Sequence, residues 1–355
     1  MKKYDLVIIG SGAGMMLIEP ALSLGLSCAI VEHGRFGGTC LTKGCIPSKI
    51  LVYPADLIRS IQKGKRIGIS TGDIEVDWAK LSERMWTKIN YSNQIEEGLS
   101  NIDGLDVYKG TGQFVDRDTM QVRIMDKDEM VAFQSDKFVV AAGARNFVPP
   151  IDGLEATGYV SSEGFFGKLF PNQPWKSLII VGGGAIGAEF AHIFAALGTK
   201  VTIIEMKPNI LPTEGKEISD FVRQQFEKVD IDVFTDTRAV SVKREGDFKT
   251  LEVENTKTKA RTEIQAEEIF IASGLVPNTD ILQIDRTGVK CDDKGWIITN
   301  ERLETNIDKI WALGDINGKY QFRHKANYEA EILATHLFPF PNKRTADYQT
   351  VPWAI

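Results

Sequence analysis

The chain has 355 residues, 43% hydrophobic and 25% charged, with 32 glycines, four cysteines and a formal charge of −6. That balance excludes a disordered, collagen-like or disulfide-scaffold protein, and a pI near 5.5 leaves none of the basic surplus with which nucleic-acid binders hold phosphate. The length suits two or three domains, and there is no run of about 18 apolar residues to span a membrane.

Met1-Lys2-Lys3 and the largely apolar stretch to Ile18 have the outline of a signal peptide. Asp5 and the glycines of Gly10-Ser-Gly12-Ala13-Gly14 interrupt that stretch and make a phosphate-binding turn instead. Four cysteines are too few for an extracellular framework, so the expected compartment is the cytoplasm. Tyr4–Gly14 reads as a short β-branched strand feeding a glycine turn, followed by a helical stretch, Leu24-Gly25 and a second strand, Ser27–Glu32.

The same pattern returns 172 residues on, as Ser177–Val181, Gly182-Gly183-Gly184-Ala-Ile186-Gly187, a helical stretch, Leu197-Gly198 and the strand Lys200–Glu205. From Gly10 to Glu32 is 22 residues and from Gly182 to Glu205 is 23. Glycines let the backbone approach a pyrophosphate, the helix N-terminus supplies amides, and an acid about 20 residues on accepts ribose hydroxyls. Two copies in full context point to two dinucleotide sites rather than two ligand-free turns. An acid rather than an arginine at position 205 favours NAD over NADP. In the first copy Met15 holds the third-glycine position, where close helix–strand packing favours no side chain. Pro20 falls inside the expected helix, where an interior proline costs about 3 kcal/mol; a kink could absorb both departures, and neither favours tight binding at the site.

Next comes Gly37-Gly38-Thr39-Cys40-Leu-Thr42-Lys43-Gly44-Cys45-Ile-Pro47-Ser48-Lys49. Two cysteines five positions apart, in a glycine-bounded turn entering a helix, can close a disulfide. A thiol at a helix N-terminus has its thiolate stabilised by the dipole and by cations, here Lys49 one turn on. That favours a redox pair over two buried reduced thiols. No metal is expected, because His33, His192, His324 and His336 show no ligand spacing. Cys28 reads as core packing and Cys291, beside Asp292-Asp293, as a surface-strand residue. Asp77–Leu99 reads as one long helix with Trp78, Leu81, Met85, Trp86 and Ile89 on a core-facing side, and Met120–Phe133 and Leu251–Ile264 fit antiparallel meanders.

The run Gly37–Lys49 resembles the active-site signature of the flavin-dependent pyridine-nucleotide disulfide oxidoreductases, and the similarity extends through nearly the whole chain. Gly110-Thr-Gly112-Gln-Phe114 resembles the segment near the flavin adenine. Val139–Ala144 resembles the crossover into the nicotinamide domain, and Ile269–Asn278 its return. Ile310-Trp-Ala-Leu-Gly314-Asp315 resembles the second flavin motif, whose aspartate binds the ribityl chain. His324-Lys325-Ala326 resembles a segment at the flavin ring, with Phe322 and Arg323 in place of the usual Leu-Ala. Glu205 and Pro208-Asn-Ile-Leu-Pro212 look like the lipoamide dehydrogenase and mercuric reductase branches.

The resemblance implies FAD held by Gly10, Gly12, Ala13, Gly14, Glu32, Gly38, Thr39, Lys49, Gly112, Ala142, Gly143, Gly314, Asp315 and Arg323. It implies NAD held by Gly182, Gly184, Ile186, Gly187, Glu205 and Gly274. It further implies a Cys40–Cys45 disulfide, with Cys40 the exposed interchange thiol, Cys45 nearer the flavin, and Glu189 paired with Lys49. Read without the resemblance, Glu189 is an ordinary exposed helix acid. Thr42-Lys43 stand where Asn-Val is commoner, and a cation there bears on the redox potential or the substrate.

The expected fold is α/β: two Rossmann-like FAD- and NAD(P)-binding domains with parallel sheets and antiparallel meanders, the NAD domain inserted in the FAD domain. The expected boundaries are 1–146 for the FAD-binding domain, 147–275 for the NAD-binding domain, and 276–348 for a central segment completing the FAD domain. Residues 349–355 are expected to be the stub of a truncated C-terminal interface domain, because Val351-Pro-Trp-Ala-Ile355 reads as a strand start without a partner. The resemblance implies that this domain makes a homodimer in the full-length parent and carries a His–Glu pair, which none of the four histidines matches.

The implied reaction carries electrons between a dihydrolipoamide-like dithiol, free or on a lipoyl-bearing protein, the cysteine pair, FAD and NAD. Two alternatives use the same motifs. One is an NADH-dependent flavin reductase or oxidase, or a mercuric-type reductase, with the same cysteines. The other is a non-catalytic dinucleotide-binding flavoprotein module. Neither nucleic acid nor membrane is expected as a partner.

Overall fold

Leu6–Ile9 and Cys28–Glu32 are buried at every position, the pattern of strands covered on both faces of a parallel sheet. In the computed structural model, which describes residues 1–355, they pair in parallel from Leu6↔Cys28 to Ile9↔Val31. The first of two structural units comprises Met1–Thr42, Asn90–Arg145 and Val276–Ala354. Its eight-stranded sheet runs in the order Lys2–Tyr4, Met130–Ser135, Thr119–Ile124, Leu105–Phe114, Cys28–Glu32, Leu6–Ile9, Phe138–Val140, Ile310–Ala312. Leu105–Phe114 serves two partners, pairing in parallel with Cys28–Glu32 over its first half and antiparallel with Thr119–Ile124 over its second. The change falls at Gly110, where a Cβ would stand 2.2 Å from the Arg123 carbonyl oxygen.

Pro20 is accommodated by a change of helix type rather than by a kink. Ala13–Leu17 is a 3₁₀ turn and Ile18–Ser23 a short α-helix. Pro20 is thereby third in the α-helix, where an N–H would have no intrahelical acceptor and its loss is tolerated. Position 15 is corrected too. The close approach to the sheet falls on Gly14, where a Cβ would lie 2.9 Å from both Ile8 Cγ2 and Ala141 Cβ, while Met15 packs half-buried at the edge of the core.

The second unit comprises Lys43–Ile89 and Asn146–Leu275, with Ile355. Its five parallel strands run in the order Asp232–Phe234, Lys200–Ile204, Ser177–Val181, Glu268–Ile271, Val160–Ser161. Thr237–Glu245, Phe248–Asn255 and Arg261–Ala266 form an antiparallel meander. The helix Ala185–Ala196 is apolar nearly all round because it is covered on two sides. Phe190 meets Phe270 of the sheet with ring centroids 4.2 Å apart, and Ala196 packs with Ala55 and Ile58 of the helix Cys45–Gly64. Residues 43–89, which the sequence reading groups with 1–146, pack in this way with 146–275.

The single long helix expected over Asp77–Leu99 is two, Trp78–Ile89 and Tyr91–Ser100. The Asn93 N–H bonds the Asn90 carbonyl three residues back, a tight turn at a residue with poor helix propensity. Trp78, Met85 and Ile89 are core residues; the Trp78 ring stacks on Phe170 at 5.3 Å and its Nε1 donates to the Pro171 carbonyl at 3.0 Å. No helix is long and apolar enough to cross a membrane.

Phe190 is buried among Phe165, Phe166, Phe194 and Phe270. Phe190→Ala is therefore expected to lower the unfolding free energy of this unit by about 3–5 kcal/mol, read by urea titration of its tryptophan fluorescence. A loss below about 1 kcal/mol would show that the aromatic cluster collapses around the gap.

Candidate active site

The two glycine turns are built alike, each within its own unit. Gly10 (φ +99°) ends Leu6–Ile9, and a Cβ on it would stand 2.3 Å from the Ala141 carbonyl oxygen. Gly182 (φ +111°) ends Ser177–Val181, and a Cβ on it would stand 2.3 Å from the Ala272 carbonyl oxygen. Each turn thus needs both the left-handed backbone and the absent side chain to lie against the neighbouring parallel strand. Ala142 lies beside the first turn with Gly143 next along the chain, and Ser273 beside the second with Gly274 next along the chain.

The acids repeat the match. Glu32 Oε2 accepts from the Ser11 N–H at 2.9 Å, and its Oε1 from the Gly34 N–H at 2.7 Å. Glu205 Oε2 accepts from the Gly183 N–H at 2.7 Å, and its Oε1 from the Lys207 N–H at 2.8 Å. Each carboxylate therefore clamps the middle amide of its turn to the end of the second strand, and an ionised carboxylate keeps lone pairs for further donors. Burial alone would raise the Glu32 carboxyl; hydrogen bonds from His33 and Ser11 overcome it and hold the group at about 2.

Nothing lies within 4 Å of where a Cβ would stand on Gly12 or on Gly184. Those two faces are open backbone that a phosphate can approach, and any side chain would fill them, so both turns fit a dinucleotide. Gly184 opens the twelve-residue helix Ala185–Ala196, with Gly187 set so tightly that a Cβ would lie 2.0 Å from the Gly182 carbonyl oxygen. Ile186 is half-buried on the same helix.

Gly38 closes on the first turn: a Cβ there would stand 2.7 Å from Gly12 Cα. Arg323 Nη1 donates to the Gly37 carbonyl at 3.2 Å, and buried Ala13 shares a core cluster with Ala326 of the helix Arg323–Leu337. Thr39 is exposed and Gly112 lies against Val31 and Met120. Gly314 and Asp315 open a 3₁₀ turn after Ile310–Ala312; burial pushes the Asp315 carboxyl up, Lys325 draws it down and Glu329 adds to the rise.

Cys40, expected as the exposed thiol of the pair, is instead half-buried in the short helix Gly38–Thr42, and the exposed cysteine is Cys45, which stands at the first position of the twenty-residue helix Cys45–Gly64. Lys49, one turn into that helix, forms an ion pair with Glu189 of Ala185–Ala196. Lys43, between the cysteines, forms an ion pair with Glu163 of the short helix Ser162–Phe165. Cys28 is fully buried, and that burial, with Asp5, pushes its thiol up to about 11. Cys291 is half-buried against the core of the first unit.

Three contributors went unnoticed in the sequence. Ser11 is the first: its hydroxyl donates to Glu32 at 2.7 Å and accepts from the Gly37 N–H at 3.0 Å, tying acid, turn and cysteine loop together. The Gly-Ser-Gly spelling was its only signal. The second is Asn278, which donates through Nδ2 to the Ala142 carbonyl at 2.8 Å, next to Arg145, whose two Nη atoms each lie 2.8 Å from an Asp280 oxygen. The third is Glu329, buried without exposure behind the Asp315 turn.

Residues 4–330 match the family described as pyridine nucleotide-disulphide oxidoreductase. A dihydrolipoyl dehydrogenase of Mycobacterium bovis is 32% identical over 364 aligned positions, which cover 100% of this chain and 75% of that protein. A mercuric reductase of Staphylococcus aureus is 31% identical over 353 positions, covering 98% of this chain and 62% of that protein. Among solved structures, the Cu(II) complex of the HOCl-induced flavoprotein disulfide reductase RclA from Escherichia coli is similar with a TM-score of 0.83 and 28% identity. That match covers 95% of this chain and 71% of that one.

The Glu32 carboxyl sits below its ordinary value of 4.5, at about 2, so its contribution to stability is complete above about pH 5 and fades as pH falls toward 2. The stability gap between wild type and Glu32→Gln is expected to narrow by up to about 3 kcal/mol on acidification, followed by urea unfolding from pH 6 downward. A gap independent of pH would show that the clamp works through its neutral form.

Proposed function

The chain belongs to the pyridine nucleotide-disulphide oxidoreductase family, and we propose that it is an oxidoreductase of the dihydrolipoyl dehydrogenase kind, taking electrons from a lipoyl-type dithiol through Cys40 and Cys45. The observation that carries the reading is the pair of matched glycine–acid clamps, with the Cys-x4-Cys run following directly on the first. The cofactors of the family are FAD and NAD(H). When bound they supply the two-electron and hydride chemistry that side chains lack.

We assign FAD to the turn of Gly10, Gly12, Ala13 and Gly14 with Glu32, Gly38, Thr39, Lys49, Gly112, Ala142, Gly143, Gly314, Asp315 and Arg323. We assign NAD to Gly182, Gly184, Ile186, Gly187, Glu205 and Gly274. In this assignment the FAD-binding residues fall within 1–146 and 276–348 and the NAD-binding residues within 147–275.

In this reading a substrate thiolate attacks Cys40 Sγ of a Cys40–Cys45 disulfide. The S–S bond breaks, a mixed disulfide forms on Cys40, and Cys45 leaves as a thiolate. The second substrate thiol, once deprotonated, displaces Cys40, which takes up a proton while the substrate departs as its disulfide. Two electrons then reside on the cysteine pair. At the first position of a twenty-residue helix, the Cys45 thiolate is favoured by the dipole. The Lys49–Glu189 and Lys43–Glu163 pairs hold two cations of the cysteine segment in fixed directions, and the second of these supports a substrate preference different from that of relatives with an apolar residue at 43.

A second reading draws on the mercuric reductase relative, which aligns with 98% of the chain: electrons run the other way, NADH supplies two of them to the cysteine pair, and a metal ion held by the reduced thiolates takes them up. NADH-dependent reduction of Hg²⁺, compared with oxidation of dihydrolipoamide, separates the two.

The FAD-loaded chain, examined anaerobically, is expected to be yellow and to gain a long-wavelength absorption band on addition of dihydrolipoamide. Cys45→Ser is expected to keep the flavin and lose that band. A band retained in Cys45→Ser, or a wild-type chain that takes up no FAD, would overturn the reading.

A further inference from the structure

Glu329 lies within the helix Arg323–Leu337 with 0% exposure, a position where a carboxylate must collect donors or lose its charge. It collects four. Oε2 accepts from the Gly314 N–H at 2.6 Å and from Lys325 Nζ at 3.2 Å; Oε1 accepts from Asn317 Nδ2 at 2.8 Å and from the Tyr348 hydroxyl at 2.6 Å. Lys325 is equally enclosed and also donates to the Gly314 carbonyl at 3.2 Å and Asn317 Oδ1 at 3.0 Å. One buried ion pair thus grips the turn Gly314–Asn317 at both ends, with Asp315 between.

Tyr348 adds a third stretch of chain to the same carboxylate. The residues leading to it are docked on the helix and its surroundings. The Asp347 N–H donates to the Tyr328 hydroxyl at 2.9 Å, the Ala346 N–H to the Glu301 carbonyl at 2.8 Å, and His336 Nε2 meets the Arg344 carbonyl at 2.6 Å. The Lys319 ammonium sits 4.8 Å from the centre of the Tyr348 ring. Burial and the Glu329 charge push the Tyr348 hydroxyl above its ordinary range, so it remains a donor.

We propose that Lys325 and Glu329 are positioning residues for the Asp315 turn, and that Tyr348 couples the docking of residues 343–350 to the binding of FAD at that turn. The proposal rests on the assignment of Asp315 to FAD made above. The coupling is reciprocal: bound FAD holds residues 343–350 closed, and releasing them weakens FAD by the same factor.

Tyr348→Phe removes the hydroxyl and keeps the ring. In the unliganded chain, amide hydrogen exchange read by mass spectrometry is expected to quicken at Gly314–Asn317 as well as over 343–350. In a flavin-fluorescence titration the FAD dissociation constant is expected to rise about tenfold or more, the scale of a lost hydrogen bond to a charged acceptor. FAD should slow exchange over 343–350 in wild type and not in Tyr348→Phe. Faster exchange confined to 343–350, with FAD affinity and Gly314–Asn317 unchanged, overturns the coupling.

The double variant Lys325→Met/Glu329→Gln removes both charges together, so neither is left buried alone. It is expected to lose protection at Gly314–Asn317, and protection at the wild-type level overturns the positioning role. A wild-type chain that takes up no FAD overturns the assignment of Asp315 and the function built on it, while the exchange measurements without FAD still decide whether Tyr348 holds the turn.

Discussion

Everything at the two glycine turns depends on a buried carboxylate bonding to a backbone amide one strand away. Without Glu32, the Ser11 amide and hydroxyl would lose their acceptor inside the first unit; without Glu205, the Gly183 amide would lose its own. Such groups are costly to leave unpaired, so acid and turn stabilise each other as one object. The clamp explains why the turns can be glycine-rich and still hold one shape. Their flexibility is removed from outside, by a charge, while Gly12 and Gly184 keep their open faces.

The cysteine segment is organised on a different principle. Its long helix Cys45–Gly64 buries Leu51, Ala55 and Ile58 and so fixes the direction in which Cys45 and Lys49 leave the core. The charges are then set by partners from elsewhere in the sequence, Glu189 for Lys49 and Glu163 for Lys43. Packing sets the position of the thiol and ion pairing sets the field around it, so the two can vary independently. The tightly packed helix Ala185–Ala196 carries Glu189 on its one polar edge, which leaves that pairing little freedom.

Much of this was legible in the sequence because it is local or repeated. Strand, glycine turn, helix, second strand and acid occur twice at nearly equal spacing, and each step has a backbone reason that any reader of the chain can apply. The α/β fold with parallel strands and two meanders followed from the same runs, and the structure has it, with the first meander continuing the eight-stranded sheet rather than standing apart from it. What escaped notice depends on partners far apart in sequence. The Arg145–Asp280 pair and the link from Tyr348 to Glu329 have no periodicity to announce them. Local signals also misled where two outcomes have similar energies. Pro20 could be accommodated by a kink or by a 3₁₀ turn, and the break at Asn90 depends on one i+3 hydrogen bond.

The strand Leu105–Phe114 shares itself between a parallel sheet and a hairpin, and this has a consequence for how the protein can change in length. Register in the antiparallel half is pinned at Gly110, whose missing side chain admits the Arg123 carbonyl. Residues 125–130, at the far end of the hairpin, are all exposed. Lineages of this fold are therefore free to insert or delete residues at that tip, where a longer loop adds little entropy. A single insertion between Gly110 and Phe114 would instead rotate the second half of the strand by one face and turn Phe114 from the core toward water.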